Sequence, residues 1–196
     1  MMEDSTTAIK ITKEQIAQME PITFPGRIVV VQSHQEAEKA VAYLRTLRTI
    51  GFDTETRPAF RKGHVNKVAL LQLSGEEYCF LFRLNVIGFP ECLIDLLRDP
   101  NILKVGLSLK DDYMTMRRMA CFEPHGFIEL QHYVKKFNIG EASLQKIFAI
   151  LFGRKISKSQ RLSNWEADTL SDGQKKYAAT DAWACYRIYE TLNETK

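Results

Sequence analysis

The sequence predicts an α/β fold, a mixed β-sheet flanked by α-helices. Short β-branched and apolar runs crowd the first half of the chain. Stretches with helical periodicity dominate the second half, with one apolar run inserted between helices. The chain has 196 residues, 45% hydrophobic and 26% charged, which suits one domain with its own core. We read residues 1–25 as an N-terminal arm and 26–196 as a single domain.

The arm is polar, and Pro21 and Pro25 interrupt it, so a short helix or loose arm is expected. Arg27 to Gln32 (RIVVVQ) is short and β-branched, hence a strand. Ser33 with Glu36 forms a capping box for a helix to about Arg48, with Ala37, Val41, Leu44 and Leu47 on one face. Thr49–Thr54, Val68–Leu73 and Tyr78–Phe82 read as strands, the last two joined by a turn at Ser74-Gly75. A helix near Glu91–Leu97, a buried strand at Leu103–Gly106 and a helix from Leu109 to about Met119 follow. Glu129–Phe137 and Ser143–Phe152 are read as helices, and Gly153–Trp165 as a long basic loop. The alanine-rich stretch from Asp172 to Leu192 closes the chain as a helix.

Composition excludes some classes. No window approaches the ~18 consecutive apolar residues of a membrane span. The start lacks an apolar signal-peptide core, so a cytoplasmic protein is expected. Cys79, Cys92, Cys121 and Cys185 are scattered without a CxxC pair, which argues for reduced, partly buried thiols. Net charge is only +3, yet Arg57, Arg61, Lys62 and Lys67 share one acid-free stretch, and Arg154, Lys155, Lys158 and Arg161 another. Such local patches can hold phosphates, although solubility alone would also explain them.

Three acidic features stand out. Asp53 and Glu55 lie two apart in a strand, so both carboxylates face one side at the end of an apolar run. Two like charges so close call for a cation, and hard oxygen ligands suit Mg²⁺ or Mn²⁺. A solvated strand end would look the same. Ser108 and Asp112 are four apart near a helix start, with Asp111 an equally acidic neighbour. Tyr177 and Asp181 are four apart on the last helix, where a hydroxyl can lie over whatever the acid binds; a core tyrosine beside a paired aspartate is the plainer account.

Taken in order, FDTE and KVALLQL, then VGLSLKDD, then RLSNW and LSDGQKKYAATDAWACYRIY, the chain resembles the DEDDy 3′→5′ exonucleases of the RNase D and Werner-syndrome exonuclease-domain type. The resemblance spans about residues 27–192. It implies a ribonuclease H-like sheet with Asp53, Glu55, Asp112 and Asp181 at its edge. It also implies two divalent ions, Mg²⁺ or Mn²⁺. One would rest on Asp53, Glu55 and Asp181, and the other on Asp53 and, through water, Asp112. Tyr177 would orient the attacking water, and nucleoside 5′-monophosphates would leave. The register of the second motif selects Asp112 over Asp111, although Ser108 stands where polymerase-like relatives carry asparagine. Glu129 stands where relatives often have aspartate, and it is given no catalytic role. The implied partner is nucleic acid with a single-stranded 3′ end; nothing calls for a membrane or an obligate protein partner. Thr54, Arg57, Arg61, Lys62, Lys158 and Arg161 are candidate strand contacts. Trp165 or Tyr113 would stack on a base. A catalytically silent nucleic-acid-binding module of the same fold is the alternative.

Overall fold

The computed structural model describes residues 7–59 and 66–194. After a short helix, α1 (Lys13–Ala17), come β1 (Arg27–Val31), α2 (His34–Leu44), β2 (Thr49–Thr56), β3 (Val68–Ser74) and β4 (Tyr78–Phe82). Then follow α3 (Leu84–Ile87), α4 (Glu91–Arg98), β5 (Leu103–Gly106), α5 (Leu109–Met116), β6 (Phe127–Glu129) and α6 (Leu130–Tyr133), which runs into a 3₁₀ turn over Val134–Phe137. α7 (Leu144–Phe152) and the long α8 (Asp172–Glu194) complete the described chain. The strands form one mixed sheet in the order β1-β4-β3-β2-β5-β6. β2 pairs antiparallel with β3 and parallel with β5, so the strand carrying Asp53 and Glu55 lies inside the sheet.

Alternation along β2 assigns its side chains to two layers. Ile50 and Phe52 join Val41, Leu44, Leu93 and Leu97 beneath α2 and α4. The opposite face packs against α7 and α8 through Leu70, Leu81, Val105, Phe148, Trp183 and Ile188. Helices therefore cover both faces of the sheet, as the sequence predicts. The fold is ribonuclease H-like.

Several local expectations are met at the level of single bonds. Glu36 N–H donates to Ser33 Oγ (3.2 Å), and Ser33 N–H donates to Glu36 Oε2 (3.1 Å), which closes the capping box of α2. Three readings are corrected. β6 takes Glu129, the first residue of an expected helix that instead starts at Leu130: three residues (Phe-Ile-Glu) are too few to show a period, and only pairing with β5 makes them a strand. α2 ends at Leu44 rather than near Arg48. α5 ends at Met116 rather than near Met119. The described part of the N-terminal arm, residues 7–25, lies against the body. Phe24 is buried with its N–H on Thr180 Oγ1 (2.9 Å), and Lys155 Nζ donates to Ala17 O (2.7 Å). Cys79 and Cys185 are buried, Cys92 is half-buried, and Cys121 is exposed rather than partly buried.

Candidate active site

Gly51, Asp53 and Glu55 face α8. The approach between strand and helix is close: a Cβ on Gly51 would stand 1.9 Å from the Ala182 carbonyl oxygen. Ala178, Ala179, Ala182 and Cys185 keep the facing side of α8 small. This contact brings Asp181 over the end of β2. Carboxylate oxygens of Asp53, Glu55 and Asp181 all lie within 4.8 Å of one another. Tyr177, one turn earlier on α8, hydrogen-bonds to Asp181. Its ring is 6.0 Å from that of Trp165, centroid to centroid.

Asp112 reaches the group from the opposite side of β2. Thr54 points away from Asp53 and Glu55 and donates its hydroxyl to Asp112 Oδ1. Asp111 is exposed and makes no such contact with β2. Ser108, expected on the helical face of Asp112, instead lies outside α5 in the left-handed region (φ 65°). That bend frees the Ser108 and Leu109 amides, and Glu129 accepts from both (3.1 and 2.8 Å). Gln131 Nε2 donates to Ser108 Oγ (3.1 Å) and to Ala142 O (3.0 Å). Glu129 thus ties the end of β6 to the start of the helix that carries Asp112. Its only sequence signal is an acid next to Leu130-Gln131, and sequence alone does not say what that acid touches.

The carboxylates raise one another. Burial pushes Asp53 far above the ordinary carboxylate range, and Asp181, Glu55 and Asp112 push it further. Burial, then Asp181 and Asp112, lift Glu55 to about 9, against a pull from Arg161. Burial lifts Asp181 to about 7, opposed by the Tyr177 hydrogen bond and by Lys158. Burial lifts Asp112 to about 6, opposed by the Thr54 hydroxyl. Here there is more negative charge than the neighbouring cations balance. A hard, multivalent cation suits this all-oxygen donor set. Tyr177 is pushed well upward by burial and by the same acids, so it stays a neutral hydroxyl and donates.

A cleft of about 430 Å³ opens beside Asp53, Glu55, Tyr177 and Asp181, and Lys158 and Arg161 line it. Both cations are exposed and make no ion pair among the described residues. Arg57, by contrast, is paired with Glu166 (3.3 Å). Arg61 and Lys62 lie outside the described residues. The stacking expectation is corrected: Trp165 is 0% exposed and offers no face to a base. Its segment is pinned from behind. The buried Arg83 donates to Ala167 O (2.5 Å) and Asp168 O (3.3 Å), and Gln174 Nε2 donates to Asn164 O (3.1 Å). Tyr113 packs edge-on against Phe127 (5.2 Å) and is likewise part of the packing.

Comparison with known proteins adds independent findings. A family model described as 3′-5′ exonuclease matches residues 28–195. The chain is 32% identical over 181 residues to the bifunctional 3′-5′ exonuclease/ATP-dependent helicase WRN of Mus musculus, covering 87% of this chain and 13% of that protein. It is 30% identical over 192 residues to a 3′-5′ exonuclease of Arabidopsis thaliana, covering 87% of this chain and 65% of that one. The chain thus spans less than two thirds of either relative. In fold it is similar to Escherichia coli RNase D (TM-score 0.75, 22% identity, 86% of this chain and 44% of that chain). A match along nearly all of the domain, with the acids of the first and third motifs, Asp53, Glu55 and Asp181, converging on one cleft, places the chain in the 3′-5′ exonuclease family.

Proposed function

We propose that the chain hydrolyses phosphodiester bonds one nucleotide at a time from the 3′ end of a nucleic-acid strand, releasing nucleoside 5′-monophosphates. The observation that carries this is the convergence of Asp53, Glu55 and Asp181 within 4.8 Å beneath Tyr177, with Asp112 held nearby by Thr54. Asp53, Glu55 and Asp181 would hold one divalent ion, Mg²⁺ or Mn²⁺, and Asp53 with Asp112 a second. When bound, the pair supplies an activated water and charge stabilisation on both sides of the scissile phosphate.

The protein's own groups do the rest. The neutral Tyr177 hydroxyl orients the attacking water rather than removing its proton. Lys158 and Arg161 balance the phosphate at the rim of the cleft. Glu55 and the backbone at Thr54 hold the terminal 3′-hydroxyl, which makes cleavage begin at an end. A single-stranded 3′ end fits a cleft bordered by the exposed loop that carries Lys158 and Arg161.

Digestion of matched DNA and RNA strands, labelled at the 3′ or the 5′ terminus, with Mg²⁺ or Mn²⁺, tests this reading. The expected result is early loss of the 3′ label as mononucleotide and no loss with Asp53→Ala. Undiminished cleavage by Asp53→Ala would remove the carboxylate cluster from the chemistry. Strand binding without cleavage under any of these conditions would favour the silent binding module.

A further inference from the structure

The concave surface continues past the carboxylates. A second cleft, of about 340 Å³, meets the first: Thr54, Glu55 and Arg161 line both. Asp111, Asp112 and Thr115 form its α5 wall. Beyond it lies a third cleft of about 550 Å³, between the start of β3, α3 and the turn after α5. Three contacts join the second and third clefts. Val68 in the third is the strand partner of Thr56 in the second. Arg118 follows Thr115 by one turn, its N–H on Thr115 O (3.3 Å). Glu166 on the third cleft's rim is paired with Arg57, the residue between Thr56 and Pro58 of the second.

The charges along this path change sign. The second cleft holds Glu55, Asp111 and Asp112. The third holds Lys67, Arg118 and Glu166. Glu166 is already balanced by Arg57, while Lys67 and Arg118 are exposed and make no ion pair among the described residues. Phe89 and Met119, both half-buried, give the same cleft an apolar wall. Two free cations beside an apolar wall match a phosphodiester backbone with its sugars and bases, and match poorly a divalent cation or an acidic-free apolar ligand.

We propose that this third cleft binds the uncleaved part of the strand, with Lys67 and Arg118 on its phosphates. The proposal rests on the nuclease reading above and adds a site remote from the cleavage chemistry. Lys67 and Arg118 line the third cleft and neither of the other two, and the second cleft lies between them and the first, which holds Asp53 and Asp181. A dinucleotide therefore occupies the carboxylate cleft without reaching Lys67 or Arg118, and a longer strand reaches both.

The test compares the full chain with the Lys67→Gln/Arg118→Gln double variant on a dinucleotide and on a single strand of about ten nucleotides, within the usual size of single-strand grooves. The ratio of kcat/KM for the long strand to that for the dinucleotide should fall several-fold in the variant. Anisotropy of the labelled long strand should show a log–log salt slope smaller by about 1.4, about 0.7 for each lost phosphate contact. Lys67→Arg/Arg118→Lys should restore both. A ratio and slope equal to those of the unaltered chain would overturn the proposal, and so would a loss of equal size on both substrates. Should the unaltered chain cleave neither substrate, the nuclease reading fails, while the salt slope still decides whether the third cleft binds a strand.

Discussion

Tyr177 shows how a single hydroxyl acquires a role from its surroundings. Burial and three nearby acids hold its proton in place, so it serves as a donor across the physiological range. Tyr177→Phe should lower kcat by about 10²-fold, while Mn²⁺ binding measured by calorimetry stays close to that of the unaltered chain; an unchanged kcat would take the tyrosine out of the mechanism. The carboxylates make a pH prediction. Glu55, Asp181 and Asp112 are raised to about 9, 7 and 6 from ordinary values of 4.5, 3.8 and 3.8. In cation-free protein the folded state therefore holds more protons than the unfolded chain between about pH 4 and pH 9. Stability in EDTA should fall as pH rises through that window. A divalent cation competes with those protons, so the rise in melting temperature on adding Mn²⁺ should grow with pH. At a hundredfold excess over Kd the cation contributes about 2.7 kcal/mol, or about 5–10 °C for a chain of this size. A Mn²⁺ shift that shrinks from pH 6 to pH 8 would contradict this account.

Among the secondary-structure elements, the decisive contact is that of α8 with β2. Asp53 and Asp181 are far apart in sequence, and they meet because nothing projects from Gly51 toward Ala182. Gly51→Val would force the helix outward. We expect it to cost about 1–3 kcal/mol of stability, the usual range for overpacking. Turnover should fall by at least ~10²-fold, because a displacement of about 1 Å at a reacting centre suffices for that. Thermal unfolding and single-turnover cleavage of the same preparation separate the two effects. A variant as active as the unaltered chain would show that the approach of α8 to β2 is not what positions Asp181. Glu129 does a comparable job for α5, because it fixes the Ser108 bend from the neighbouring strand. Sequence reading found α8, β2 and α5 because each is long enough to display a period or a capping pattern. It missed β6 and α3, which have three and four residues and gain their form from neighbours.

Across the whole molecule, the sheet carries a second electrostatic strain away from the cleft. Lys104 in β5 is fully buried. Its ammonium donates to Leu96 O (3.3 Å) and Asp99 O (2.6 Å) and lies over the Phe127 ring (5.2 Å). Burial lowers its pKa to about 8 from the ordinary 10.5. The unfolded chain binds the extra proton between those values, so stability should rise with pH across that interval, by up to about 3 kcal/mol. In urea unfolding from pH 7.5 to pH 10, Lys104→Met should lose this rise relative to the unaltered chain; parallel curves would rule out Lys104 as its source. By itself the sequence determined the fold class, the central strand with its two acids and the YxxxD pair on the last helix. These are local: alternation, helical spacing and motif order are written in neighbouring residues. Only the tertiary structure decided that Asp112 rather than Asp111 faces Thr54, that Trp165 lies behind Tyr177 instead of in the cleft, and that Glu129 anchors α5. Those outcomes depend on which surfaces meet across tens of residues, and packing fixes them only when the sheet and its helices close together.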